Sequence, residues 1–157
     1  MSRFVAWSLD AALQIVERWK DVEGGLLPMS VEIQSTFGYI DTEVIQPVAD
    51  ALNLSRAEVV GFVDFYHDFR KTPPAAHQLR ICLAEACQAS GGNDLSQHLS
   101  QTLGALPGER SADGEIDVDA VYCLGNCGLS PAVMLDGKTY GRMTAARADS
   151  LLEGIRG

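Results

Sequence analysis

Four cysteines fall into two pairs, and each pair follows a short apolar segment. Cys82 and Cys87 lie in ICLAEAC, whereas Cys123 and Cys127 lie in YCLGNCGLSP, a glycine-rich turn. The preceding segments, QLRIC and EIDVDAVYC, are predicted strands. If these strands are parallel neighbours, their carboxyl ends open at the same edge of a sheet, and the two cysteine loops converge there. The sequence therefore predicts a sheet whose edge gathers four thiols.

The second half of the chain, residues 75–157, has the pattern of a small mixed sheet. Its predicted order is β-α-β-β-β-α, with the helix GGNDLSQHLSQTLG between the first two strands favouring a parallel pair. AVMLDGKTYGRM predicts an antiparallel hairpin, because Asp136 and Gly137 can take the positive φ of a type I′ turn. TAARADSLLEGI predicts the last helix. This layout is typical of a thioredoxin-like α/β sandwich.

The first half, residues 1–74, predicts a helical region. SLDAALQIVERWKD has apolar residues at helical spacing after the N-cap candidate Ser8, and LLPMSVEIQSTF predicts a second helix before Gly38. Pro47 predicts a kink or a late start in a third helix. The prolines of KTPPAAH then disfavour helix and place a boundary near residue 75. The fold class is thus α/β, with an N-terminal helical bundle before the mixed sheet.

The fourth predicted helix begins at a capping box formed by Ser55 and Glu58. It leads into four aromatic residues, which such spacing usually places in a core. We expect them to be buried and to join the two halves of the chain. They are Phe62, Phe65, Tyr66 and Phe69.

Composition and charge exclude several functions. The formal net charge is -9 and no run of Lys or Arg forms a basic stripe, so nucleic acid is not an expected partner. No window supplies the roughly 18 apolar residues of a membrane span, and Asp10 interrupts what would be a signal peptide. We therefore expect a cytoplasmic protein without direct membrane insertion. Thiols stay reduced there, so paired cysteines indicate metal or redox chemistry before disulfides.

Spacing leaves the kind of site open. Four thiolates form the ligand set of a 2Fe-2S cluster, and equally of a structural zinc ion. Neither pair has the C-x-x-C spacing of a dithiol oxidoreductase, and no residue stands out as a catalytic acid, base or nucleophile. Glycines near both cysteine pairs either make turns or let backbone amides point at sulfur. They are Gly125 and Gly128 in the second cysteine loop, and Gly91 and Gly92 after Cys87.

Several segments together resemble the thioredoxin-like 2Fe-2S subunit family of NADH:quinone oxidoreductases. They are GGLLPMSVEIQSTFGYI, GFVDFYHDFR, YCLGNCGLSPAVML and the two cysteine pairs, and the likeness covers roughly residues 8–153. Within the family, ALNLSRAEV, FYHDFR and AEACQ look most like the gamma subunit of soluble NAD-dependent formate dehydrogenases. Pro47 and the segment from Gly128 to Ser130 depart from the family pattern without removing a ligand.

The resemblance implies one 2Fe-2S cluster held by Cys82, Cys87, Cys123 and Cys127. It implies one-electron transfer with the FMN of a flavin- and NAD-binding beta subunit, and a molybdenum-containing alpha subunit that oxidises formate. FMN, NAD and the molybdenum cofactor are expected on those partners alone. The equivalent subunits of a quinone oxidoreductase or of the diaphorase part of an NAD-linked hydrogenase remain alternatives, and a zinc-binding structural adaptor is the alternative from another class.

Overall fold

A computed structural model describes residues 4–156 of the chain. The chain divides into two compact units, one ending at Pro74 and the other starting at Ala75. The mixed α/β class predicted from the sequence is confirmed. None of the helices within the described residues combines the length and apolar character that crossing a bilayer requires.

Within residues 4–74, the first unit consists of four helices and a short 3₁₀ turn. Two helices begin at the predicted caps: the Ser8 hydroxyl accepts from the Ala11 amide at 3.4 Å, and both halves of the predicted capping box at Ser55 are present. Gly38 ends the second helix with a φ of 85°, which a side chain would strain. The elements are α1 (Leu9–Trp19), α2 (Leu26–Phe37), the 3₁₀ turn (Thr42–Val44), α3 (Ile45–Leu52) and α4 (Arg56–Phe65).

Pro47 gives α3 a late start, as predicted. The Asp41 carboxylate accepts from the Glu43 amide and starts the 3₁₀ turn, so α3 itself begins only at Ile45. Pro47 therefore occupies the first turn of α3, where a missing amide hydrogen leaves no intrahelical bond unmade. The apolar faces of α1 to α4 enclose one core, formed by Ala12, Ile15, Val16, Met29, Ile33, Phe37, Tyr39, Ile40, Val44, Ile45, Val48, Ala49, Val59 and Val63.

The expectation that all four aromatic residues are buried is wrong. Phe65 is 75% exposed and Tyr66 is 39% exposed, whereas Phe62 and Phe69 pack against the core of the first unit. The physical reason is that α4 buries Val59 and Val63, four residues apart, and ends at Phe65. The rings of Phe65 and Tyr66 contact each other edge to face, with centroids 5.2 Å apart.

The described part of the second unit, residues 75–156, is a five-stranded mixed sheet with three α-helices and a 3₁₀ turn at Cys127–Leu129. The parallel pairing of the first two predicted strands is confirmed: β1 pairs with β3 along the whole of both strands. The hairpin of β4 and β5 is also confirmed, with positive φ values of 50° at Asp136 and 84° at Gly137. The elements are β1 (His77–Cys82), α5 (Glu85–Ala89), α6 (Gly92–Leu103), β2 (Glu109–Arg110), β3 (Ile116–Val121), β4 (Val133–Leu135), β5 (Lys138–Tyr140) and α7 (Ala145–Arg156).

The strand order is β2-β3-β1-β4-β5, so β1 is the central strand. The sequence did not predict β2, which has two residues, or α5, which has five. Both are too short to show a periodicity. The apolar side chains of the sheet and of α6 and α7 form a second core, which includes Leu79, Ile81, Leu95, Leu99, Leu103, Ala105, Ile116, Val118, Val133, Leu135, Met143, Ala148 and Leu152.

Candidate metal centre

The parallel strands bring both cysteine loops to one edge of the sheet. Cys82 is the last residue of β1 and is level with Val121, the last residue of β3. The Leu83 amide donates to the Val121 carbonyl at 2.8 Å, which holds the two strand ends together where the loops depart. Cys123 follows two residues after the end of β3. Strand pairing therefore brings the two loops to the same place.

The first cysteine pair is buried. Cys82 and Cys87 are each 2% exposed and form a small cluster with Ala132. Cys87 lies on α5, the short helix that turns the chain back after β1. A Cβ atom at Gly92 would lie 2.6 Å from the Cys87 carbonyl oxygen, so glycine is required for the close turn after this helix. The sequence left open whether Gly92 makes a turn or points its amide at sulfur, and this close contact supports the turn.

The second cysteine pair is exposed to solvent. The Sγ atoms of Cys123 and Cys127 are 3.6 Å apart. Between them Gly125 has a φ of 72°, and its amide donates to the Cys123 Sγ at 3.3 Å. Of the two roles that the sequence left open for Gly125, a turn and an amide directed at sulfur, the structure shows both. A hydrogen bond of this kind stabilises negative charge on the sulfur.

Ser130 links the two cysteine loops. Its hydroxyl donates to the Cys127 carbonyl at 2.6 Å, and the Cys87 thiol donates to the same hydroxyl at 3.7 Å. Sequence reasoning assigned no role to Ser130, because a serine three residues after a cysteine carries no signal without the fold that places it beside a second cysteine.

The thiols also affect one another electrostatically. The hydrogen bond with Cys123 is the largest of the influences that raise the pKa of the Cys127 thiol. The charge of Cys123, partial burial, and the charges of Cys87 and Cys82 act in the same direction. Members of both pairs therefore lie close enough to disfavour a second thiolate, which is the repulsion that a bound cation relieves.

The spacing within the exposed pair matches two ligands of one metal. Two thiolates on a tetrahedral metal, each at about 2.3 Å, have their sulfurs about 3.8 Å apart. The observed separation of the Cys123 and Cys127 sulfurs is 3.6 Å. Within residues 4–156, no three His, Cys, Asp or Glu side chains are grouped closely enough to hold a single ion. The donor set of two thiol pairs fits a group that takes two thiolates on each of two metals.

The structure is a thioredoxin-like α/β domain with two cysteine pairs in the loops that follow the paired strands β1 and β3. The sequence signature of one family, described as thioredoxin-like 2Fe-2S ferredoxin, matches residues 12–156. The chain belongs to this family. The family resemblance seen in the sequence is confirmed, and with it the class of iron-sulfur electron-transfer protein.

Curated relatives share most of their length with this chain. It is 32% identical over 140 residues to the NADP-reducing hydrogenase subunit HndA of Solidesulfovibrio fructosivorans, covering 89% of this chain and 82% of that protein. It is also 32% identical over 132 residues to NADH-quinone oxidoreductase subunit 2 of Thermus thermophilus, covering 83% of this chain and 73% of that protein.

A solved structure also matches this chain. In the crystal structure of an NAD+-reducing NiFe hydrogenase in the air-oxidized state, one chain aligns with a TM-score of 0.70 and 30% identity over 84% of this chain. This chain spans only 23% of that hydrogenase chain. The similarity therefore concerns one part of a much longer polypeptide.

Proposed function

We propose that this protein is the electron-transfer subunit of a cytoplasmic, NAD-dependent formate dehydrogenase, and that it exchanges single electrons with the FMN of a flavin- and NAD-binding beta subunit. A molybdenum-containing alpha subunit oxidises formate in this proposal. The observation that carries the electron-transfer role is the convergence of two cysteine pairs at the carboxyl edge of β1 and β3. Two thiol pairs suit the binding of an iron-sulfur group, which carries electrons, and bond chemistry belongs to the partner subunits in this proposal.

The four ligands in this proposal are Cys82, Cys87, Cys123 and Cys127. A bound 2Fe-2S cluster supplies one-electron redox chemistry, which a flavin couples to the two-electron chemistry of NAD. The buried pair of Cys82 and Cys87 excludes water from one side of the site. The exposed pair of Cys123 and Cys127 leaves the other side open, which is the side where a redox partner can approach closely.

Three kinds of complex are supported by two different observations. The segments ALNLSRAEV, FYHDFR and AEACQ support formate dehydrogenase. The named relatives and the matching solved structure support a second candidate, the corresponding subunit of an NAD-linked hydrogenase or an NADH-quinone oxidoreductase. The electron-transfer role of this chain is the same in each of them, and the complexes differ in the subunit that oxidises or reduces the remote substrate.

Affinity purification of the chain from its own cells, under anaerobic conditions, separates these complexes. Co-purification of a flavin subunit with a molybdenum subunit and formate-dependent NAD reduction is the expected result. A nickel-containing subunit with hydrogen-dependent reduction indicates the hydrogenase, and membrane subunits with quinone reduction indicate the quinone oxidoreductase. Metal analysis of the isolated chain tests the alternative class: stoichiometric zinc without iron or sulfide contradicts electron transfer and supports a structural adaptor.

A further inference from the structure

Ser130 lies at a point where one hydroxyl hydrogen has two competing acceptors. The oxygen is 2.6 Å from the Cys127 carbonyl and 3.7 Å from the Cys87 sulfur. A serine hydroxyl has a single hydrogen, and rotation about the Cβ–Oγ bond redirects it without moving any heavy atom. Ser130 is half-buried, so the hydrogen is held among protein acceptors more than it is shared with water.

Metal ligation of Cys87 changes the acceptor of the Ser130 hydroxyl hydrogen. In the structure, the Cys87 sulfur donates to the Ser130 oxygen and the hydroxyl donates to the Cys127 carbonyl. A metal ligand is a thiolate and carries no hydrogen, so its sulfur can only accept. Hydrogen bonds to an ionised acceptor are roughly twice as strong as neutral ones, which favours turning the hydroxyl towards the sulfur.

We propose that Ser130 is a positioning residue that sets the reduction potential of the metal centre, by donating its hydroxyl hydrogen bond to the sulfur of Cys87. This inference rests on the proposed 2Fe-2S site. Reduction adds one electron and therefore one negative charge to the site, and no proton is transferred, because the hydroxyl keeps its hydrogen. A donor to sulfur stabilises the more negative state and raises the potential.

The burial of Cys87 makes this hydrogen bond effective. Cys87 is 2% exposed and lies among apolar groups, so water does not replace a lost donor at its sulfur. Cys123, by contrast, is exposed and already receives the Gly125 amide. Electrostatic interactions weaken in the high dielectric of water, so the same hydroxyl would matter less at the exposed pair.

The test compares Ser130→Ala, Ser130→Thr and the matched control Ser90→Ala by redox titration of the loaded protein with dithionite, followed by EPR. Ser90 lies just after α5, and its hydroxyl donates to the Ala86 carbonyl at 2.8 Å. We expect Ser130→Ala to lower the equilibrium constant for reduction about tenfold, which for a one-electron couple is about 59 mV. Ser130→Thr should restore the native value, and Ser90→Ala should not change it.

The outcomes separate this inference from the proposed function. A native chain without iron and sulfide contradicts the proposed function itself. A native chain with its cluster, but with the same potential in Ser130→Ala and in the native protein, overturns the inference alone.

If Ser130→Ala fails to load, the native reduced protein gives a second test. A brief exposure to D2O labels hydroxyl groups before protected amides. Pulsed EPR should then detect a rapidly exchanged deuteron coupled to the unpaired spin in addition to the deuterons that solvent and the Gly125 amide place at the exposed pair, and Ser130→Thr should retain this additional deuteron. The absence of this additional deuteron overturns the inference.

Discussion

Ile81 tests whether the fold and the metal centre can be perturbed separately. It lies in the central strand β1, next to Cys82, and is 0% exposed. Neighbouring residues of a strand point to opposite faces. Ile81 accordingly belongs to the main core of the second unit, whereas Cys82 belongs to the small cluster at the metal centre. Ile81→Ala should therefore reduce stability while leaving the ligands in place.

The size of the effect follows from the buried volume. The substitution removes three carbon atoms from a fully buried position, which at about 0.8 kcal/mol each costs about 2.4 kcal/mol. The cavity left behind adds to this loss, so we expect a total of about 3 to 4 kcal/mol. A domain of ordinary stability has about 5 to 15 kcal/mol in all, so the variant should still fold.

Anaerobic urea unfolding, followed by circular dichroism, measures this loss. The conservative variant Ile81→Val should cost about 1 kcal/mol. Val31→Ala in α2, where the native side chain is 53% exposed, should change stability by no more than about 0.5 kcal/mol. The iron content of folded Ile81→Ala should equal that of the native protein. If Ile81→Ala unfolds at the same urea midpoint as the native protein, the placement of β1 at the centre of the core is refuted.

Three further predictions concern a cap, a carboxylate and a ligand. Ser55→Ala removes the N-cap of α4 and should lower the free energy of unfolding by about 1 kcal/mol in urea titrations. Glu32 accepts a hydrogen bond from Trp19, the largest cause that lowers its pKa, and pairs with Arg18. The ionised Glu32 carboxylate stabilises the fold above its ordinary unfolded pKa, and this contribution is lost as pH falls through the lowered folded pKa. The free energy of unfolding should therefore fall less on acidification in Glu32→Gln than in the native protein, as measured by urea titrations at a series of pH values. Cys127→Ser should reduce bound iron without changing the far-ultraviolet circular dichroism of the helical unit, and full iron content with a native spectrum would contradict its role as a ligand.

Local signals in the sequence predicted the helices and their ends well. Ser8, Ser55 and Gly38 act through contacts within one turn of the chain, so these three helix ends could be placed before the fold was known. The turn at Asp136 and Gly137 was predictable for the same reason, because its backbone conformation depends on those two residues.

Features that depend on distant residues were harder to predict. The exposure of Phe65 and Tyr66 depends on which face of α4 the other helices cover, and Val59 and Val63 take that face. Aromatic spacing alone does not distinguish the two faces of a short helix. The strand β2 depends on pairing with β3 and has almost no sequence of its own.

The candidate site also has features that the sequence predicted and features that depend on distant residues. Cysteine pairing and parallel strands were enough to predict that the two loops converge. The unequal burial of the two pairs, and the contact of Ser130 with Cys87, depend on the packing of Ala132 and α5 around the first pair. A single sequence does not show this packing, because it arises from residues far apart in the chain.

The central claim is that the four cysteines of one chain hold a 2Fe-2S cluster that accepts a single electron. Quantitative EPR of the anaerobically purified protein, reduced with dithionite, tests it most directly when combined with iron and sulfide analysis of the same sample. We predict about two irons, two sulfides and one unpaired spin per chain. A reduced sample without an unpaired spin that contains one zinc per chain, and neither iron nor sulfide, would contradict the claim.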